Sequence, residues 1–175
     1  MNHSKLPHLD LQDHYQFITF RTYDSLDAYL KKLYETDQDN KHKQHAVDCY
    51  LDHSTQGAYF YNDTIEVLKQ ILLENDGLLY ELIAFAIMPN HVHLLLKQKA
   101  PINKIMKQIK GKSAAVLNKL LQRKGQFWAR DYYDKGIRNQ AHFETVYTYI
   151  LNNPLKVSLS DANARVYSVF GDSLK

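Results

Sequence analysis

Leu78-Leu-Tyr-Glu-Leu-Ile-Ala-Phe-Ala-Ile-Met-Pro-Asn-His-Val-His-Leu-Leu-Leu-Lys97 reads as two strands around a corner. The part up to Met88 is aliphatic and aromatic and follows a glycine, which predicts a strand. Pro89 has no amide hydrogen and interrupts any ladder, so Met88-Pro89-Asn90 predicts a turn. A second strand then runs from His91 to about Lys97, and the two form a hairpin. In a strand, residues two apart share a face. His91 and His93 therefore project to one side, and Val92, Leu94 and Leu96 to the other. Two convergent imidazoles can hold a divalent cation, and a cation beside a nucleophile can promote phosphodiester cleavage. The same spacing also fits two polar positions on the open face of a half-buried strand, and it does not choose between these readings.

Outward from the hairpin, Tyr15–Thr22 is aromatic and β-branched and predicts the first strand. Short helical patches over Leu26–Tyr34 and His45–Leu51 flank the charged run Glu35–Lys43, which predicts an exposed loop or insertion. Asn62 is a suitable N-cap for a helix over Asp63–Glu74, closed by Asn75-Asp76-Gly77. Pro101 and Asn103 start a long helix reaching Leu121, with Ile102, Ile105, Met106, Ile109, Val116, Leu117 and Leu120 on its buried side. Phe127–Tyr133 and Lys135–Arg138 predict one or two short strands. Asn139 caps a last helix, Gln140 to about Asn153, which Pro154 is expected to end.

A chain of 175 residues with 45% hydrophobic and 23% charged residues is long enough and apolar enough for one globular domain. We divide it into an N-terminal tail, 1–12, a domain over 13–159, and a C-terminal tail, 160–175. Cys49 is the only cysteine, so no intramolecular disulfide forms. The polar Met1–Gln12 segment does not have the apolar core of a leader, and no apolar run approaches a membrane span. The expected location is the cytoplasm, with no membrane partner. Between Lys97 and Arg138, twelve Lys or Arg stand against Asp131 and Asp134, giving +10. The remaining ten basic and seventeen acidic residues give −7. A positive segment in an acidic chain points to a polyanion partner, although a solvated lysine-rich helix face gives the same count.

The last helix carries Tyr147 and Tyr149. Phe143, Val146, Tyr147, Ile150 and Leu151 share one stripe, which places Tyr147 in the core and Tyr149 off the stripe's centre. Asn153 lies one turn beyond Tyr149 at i+4, and His142 shares the flank. A phenol and a carboxamide so placed can meet the two imidazoles. Tyr149 can then attack phosphorus, and Asn153 can complete a two-histidine, one-oxygen metal site. An ordinary boundary tyrosine and a helix C-terminal asparagine fit the same positions. A zinc site from His42, His45 and Cys49 is a further possibility, but it has no evident fourth ligand.

Met88-Pro-Asn-His-Val-His-Leu-Leu-Leu96 resembles the metal-binding segment of the HUH single-strand DNA transposases. Gln126-Phe-Trp-Ala-Arg-Asp-Tyr-Tyr-Asp134, followed by Tyr149-Ile-Leu-Asn-Asn-Pro154, resembles the REP-associated tyrosine transposases, an IS200-like branch. The resemblance runs from Tyr15 to about Leu159, and Glu35–Lys43 is its most atypical stretch. It implies an α+β fold, a ferredoxin-like or RRM-like sandwich whose antiparallel sheet is served by a C-terminal helix carrying the nucleophile. It implies His91 and His93 as metal ligands and Tyr149 as the nucleophile. The third ligand of such enzymes, Gln or Asn four residues after the tyrosine, falls on Asn153.

The implied activity is a metal-dependent endonuclease and strand transferase acting on hairpin-bearing single-stranded DNA, often as a homodimer. Mg2+ or Mn2+ would polarise the scissile phosphate. Attack by Tyr149 would give a 5′-phosphotyrosine and a free 3′-OH, keeping the phosphodiester energy for rejoining. His142 and water are the alternatives for accepting the phenolic proton. Lys104, Lys107, Lys110, Lys112, Arg123, Lys124, Arg130, Lys135 and Arg138 are the expected phosphate contacts, and Trp128, Tyr132 and Tyr133 can stack on bases. An inactive, domesticated protein that only binds DNA hairpins is the alternative.

Overall fold

The apolar alternations of the sequence become a five-stranded antiparallel sheet in the computed structural model, which describes residues 13–26, 32–33 and 40–171. Its strands are β1 (Tyr15–Arg21), β2 (Tyr80–Ile87), β3 (His91–Gln98), β4 (Tyr133–Gly136) and β5 (Val166–Ser168). The described helices are α1 (Asn40–His53), α2 (Asp63–Glu74), α3 (Ile102–Leu120), α4 (Gln140–Lys156) and α5 (Ala162–Arg165). The strand order is β4-β1-β3-β2-β5. Up to β4 the chain follows the strand-helix-strand, strand-helix-strand plan of ferredoxin-like α+β folds. β5 then adds a strand to the free edge of β2.

Each face of the sheet has its own core. Ile18, Phe20, Leu82, Phe85, Val92, Leu94 and Leu96 meet α2 and α3 through Ile65, Leu68, Ile105 and Ile109. On the other face, Phe17, Ala84, Ala86 and Leu95 meet Val146, Ile150 and Leu151 of α4. A register shift between Leu82 and Ala84 bulges β2, so that Ile83 and Ala84 both contribute to the α4 face.

Several expectations are corrected. Among the described residues, Val116 and Leu120 are 39% and 46% exposed at the end of α3, and Ser113 and Leu117 take the buried positions. Residues 40–43 of the expected charged loop are the first turn of α1. Residues 34–39, the N-terminal tail and most of the first helical patch lie outside the described residues. Asn62 begins α2 with φ of 50° and no side-chain cap bond. The stretch 127–132 stays outside β4, although Trp128 bridges Thr22. Pro154 does not stop α4, which continues to Lys156. Pro154 removes one helical hydrogen bond, and its ring is buried in exchange. Beyond Leu159, where the pattern predicts only a tail, α5 and β5 form, and Arg165 is buried with its guanidinium on Asp161 and on the Ile87 carbonyl.

The hairpin corner is built into the surrounding chain. Met88 N donates to His91 O at 2.9 Å, Thr22 N to Asn90 O at 2.9 Å and Phe60 N to Pro89 O at 3.1 Å. Gly57 closes the same corner with φ of +64°, and its carbonyl accepts from Thr22 Oγ1. A Cβ at Gly57 would lie 2.4 Å from Thr22 Oγ1 and 2.9 Å from Asp24 Oδ1. Left-handed strain together with this overlap predicts that Gly57→Ala lowers the unfolding free energy by about 2–3 kcal/mol. Urea denaturation should show a lower midpoint at unchanged slope; an unchanged midpoint would contradict the packing described here.

Candidate active site

His91 and His93 are both fully buried, and they face α4 rather than solvent. The open-face alternative therefore does not describe them. Asn90 determines the state of the first imidazole. Its Nδ2 donates to the carbonyls of Leu51, Ser54 and Gln56 at 3.2, 3.1 and 3.2 Å. That leaves Asn90 Oδ1 as the acceptor, 2.8 Å from His91 Nδ1. His91 therefore carries its proton on Nδ1 and turns the lone pair of Nε2 inward. Thr19 Oγ1, on the cross-strand partner, lies 2.9 Å from His93 Nδ1 and orients that ring, as a hydroxyl able to donate or accept. The two Nε2 atoms converge to 3.1 Å. Burial keeps both rings neutral: it lowers the pKa of His93 to about 3 and that of His91 well below the ordinary range.

A third donor comes from α1. Asp52 Oδ1 lies 3.5 Å from His91 Nε2, and the ligating atoms of Asp52, His91 and His93 all fall within 4.8 Å of one another. Nothing in the hairpin pattern signalled Asp52. The available signal is Asp48-Cys-Tyr-Leu-Asp52, two acids at i and i+4 around a buried leucine, an unfavourable pairing on an ordinary helix. Burial raises Asp48 to about 7 and Asp52 to about 6.

Tyr149 approaches from α4, with its hydroxyl 3.5 Å from His93 Nε2 and its ring against His93 and Phe17. Burial, reinforced by Asp48 and Asp52, raises its pKa. Asp48 also lies within hydrogen-bonding influence of the phenol. Tyr147 points elsewhere, bonding Ser168 and packing against Phe143 and Phe170. Asn153 is fully buried, and neither its Oδ1 nor its Nδ2 has a hydrogen-bond partner. His142 is tied to the start of α4, with Nδ1 accepting from Arg138 N and its own N–H capped by Asn139. Lys156, outside the basic segment, holds Nζ 5.0 Å from the centroid of the Tyr149 ring.

The Nε2 atoms of His91 and His93 and the Asp52 carboxylate oxygen form one group of potential ligands, and the Asn153 amide is buried without a hydrogen-bond partner for either of its polar atoms. Each unsatisfied buried group costs about 1–3 kcal/mol. A divalent cation satisfies such a set, and two imidazoles with one carboxylate are suitable donors for one. His45 and Cys49 lie 3.7 Å apart on α1, but among the described residues the three-ligand group is Asp52, His91 and His93.

The expected DNA contacts divide. Lys104, Lys107, Lys124, Arg130 and Arg138 are exposed, and Lys135 is half-buried on β4. Lys110 instead donates to the carbonyls of Ala129 and Arg130, both at 2.7 Å. Lys112 pairs with Glu74, and Arg123 pairs with Asp24 and lies 4.0 Å above the Tyr59 ring. Tyr132 sits beneath Lys110, Tyr133 packs on Phe17, and Trp128 is a core residue bonded to Ser113.

Over residues 41–153, more than half of its length, the chain matches the family described as IS200-like transposases. No curated protein matches the sequence. Among solved structures, a REP-associated tyrosine transposase bound to a REP hairpin is similar, with 14% identity and a TM-score of 0.54 over 89% of this chain and 74% of that one. A Deinococcus radiodurans R1 protein proposed to be a transposase shares 19% identity, with a TM-score of 0.45, over 87% of this chain and 98% of that one. The first of these shares the α+β fold with its antiparallel sheet. Among the described residues, no helix is long and apolar enough to cross a membrane.

The Asn90 network generates a prediction. Asn90→Ala leaves three carbonyls and one imidazole N–H without their partner, and should cost about 2–4 kcal/mol. Asn90→Asp should cost at least as much, because a carboxylate cannot donate to the carbonyls of Leu51, Ser54 and Gln56. Denaturant titration of both variants checks the order, and a milder effect for Asn90→Asp would sink this account.

Proposed function

The chain belongs to the IS200-like transposase family, and from its site we propose that it is a metal-dependent endonuclease and strand transferase acting on single-stranded DNA with hairpins. The observation that carries the proposal is the approach of the Tyr149 hydroxyl to His93 Nε2, where the Nε2 atoms of two buried imidazoles converge. We assign Tyr149 as the nucleophile and His91, His93 and Asp52 as holders of a divalent cation, Mg2+ or Mn2+. The orphaned amide oxygen of Asn153 is a further ligand. The cation, when bound, supplies positive charge to the scissile phosphate and offsets the negative charge around the phenol.

The remaining chemistry belongs to the side chains. The Tyr149 oxygen forms a bond to phosphorus, the bond from phosphorus to the 3′ oxygen breaks, and that oxygen leaves with the electron pair and takes up a proton. The products are a 5′-phosphotyrosine and a 3′-OH, and the reverse attack by a 3′-OH rejoins the strand. Asp48, beside the phenol and away from the imidazoles, is the protein group we assign to accept its proton. His142 is too firmly engaged at the start of α4 to do so. Lys104, Lys107, Lys124, Arg130, Lys135 and Arg138 bind the DNA backbone in this reading. Action in the cytoplasm and the homodimer implied by the resemblance belong to the same proposal.

Two experiments test it. A hairpin oligonucleotide from the DNA flanking the gene, incubated with Mn2+, should give an SDS-resistant adduct that Tyr149→Phe abolishes and Tyr147→Phe retains. Loss in Tyr147→Phe with an intact fold would overturn the assignment, and binding without cleavage in any metal would favour a hairpin-binding protein. Separately, calorimetric titration with Mn2+ should show binding lost in His91→Ala and weakened about tenfold or more in Asp52→Asn. Unchanged affinity in Asp52→Asn would remove Asp52 from the site.

A further inference from the structure

At the end of β1, an open recess of about 300 Å3 is lined by Arg21, Tyr23, Gln126, Ala129 and Arg130. Arg21 is the last residue of β1 and the cross-strand partner of His91. Thr19, two residues earlier, bonds His93 on the site face, so Arg21 stands on that face as well. The backbone of Arg21 thus lies one strand, about 4.8 Å, from that of His91.

Its far wall is the segment that follows α3. Ala129 N donates to Arg21 O at 2.9 Å, and Tyr23 N donates to Phe127 O at 2.8 Å. Lys110 braces this wall from behind through the Ala129 and Arg130 carbonyls. Gln126 Nε2 donates to Trp128 O at 2.7 Å, which orients its amide. Asp131, the acid adjoining the wall, acts on Lys110. Tyr23 is 49% exposed beside the two arginines, a position that core packing does not explain.

We propose that this recess is a subsite for one nucleotide of single-stranded DNA adjoining the phosphate held at the imidazoles. Arg130 binds phosphate oxygens, Arg21, whose Nη1 donates to Thr22 O and Ser25 Oγ, lends positive charge from a fixed position, Tyr23 stacks on the base and the Gln126 amide meets the base edge. Guanidinium forks match phosphate oxygens, and an exposed aromatic ring accepts any unpaired base. The ligand class rests on the DNA-cleavage reading above. The location rests on the recess itself.

The test is fluorescence anisotropy with a labelled oligothymidylate and a blunt duplex of equal length, each measured across a salt series. Tyr23→Ala should weaken single-strand binding about tenfold, within the range for one lost base stack, and leave the salt slope unchanged. Arg130→Ala should weaken it and reduce the slope by about 0.7, one phosphate contact on a single strand. Neither should alter duplex affinity to the same degree, and Lys119→Ala, a charge-matched control at the exposed end of α3, should leave the single-strand preference intact. Variants that bind oligothymidylate like the wild type, or lose single strand and duplex equally, overturn the subsite, as does a wild type that binds no oligothymidylate. The predicted discrimination without any tyrosine adduct upholds the subsite while the cleavage reading fails. Adduct formation with wild-type binding in both variants does the reverse.

Discussion

The candidate centre depends on one side chain, the amide of Asn90. A residue at a hairpin corner normally meets solvent, yet Asn90 is fully buried. Its two amide hydrogens serve three carbonyls at and beyond the end of α1, and its oxygen serves His91. The chain between α1 and α2 is thereby anchored to the corner, and Asp52 is carried to within reach of His91. The same contact sets the imidazole tautomer, because an oxygen facing Nδ1 requires a proton there. Fold and chemistry share this network: an amide that satisfies backbone carbonyls also aims a lone pair. Thr19 orients His93 from the neighbouring strand through its hydroxyl.

This explains what could be read from sequence. The hairpin and its two faces follow from a period of two and one proline, both local facts, and the structure preserves them. Tyr149 and Tyr147 separate on the same local ground, since helical angle alone turns one toward the sheet and the other toward β5. Asp52 could not be found that way. Its place depends on α1 docking beside the hairpin corner, a contact between residues 39 positions apart in the chain. The α1 sequence, Asn40–His53, is too polar to announce a buried face. β5 was illegible for another reason: three residues carry too little periodicity to register, and their role comes from the open edge of β2.

The basic segment shows how charge counts blur once a chain folds. Its excess of +10 was a fair sign of a polyanion partner, but a side chain can offer its charge only where it is free to move. Lys110 gives two hydrogen bonds to carbonyls and is partly desolvated, which lowers its pKa to about 8. Arg123 lies between an aspartate and an aromatic ring. These cations shape the wall after α3 and do not present a face. Exposed Lys104 and Lys107 remain on the solvent side of α3.

The phenol poses the sharpest electrostatic question. Burial and two carboxylates beside Tyr149 all hold its proton in place, so the protein alone opposes formation of the nucleophile. The imidazoles cannot help as cations, since burial keeps them neutral. That arrangement is costly for an idle tyrosine, because the same groups also desolvate two acids whose pKa values rise to about 7 and about 6. It becomes coherent if a positive ion and a phosphate enter together. Asp52 and the two imidazoles would hold such an ion, its positive charge would offset the carboxylates beside the phenol, and Asp48, less acidic than an exposed aspartate, would be the better proton acceptor for it.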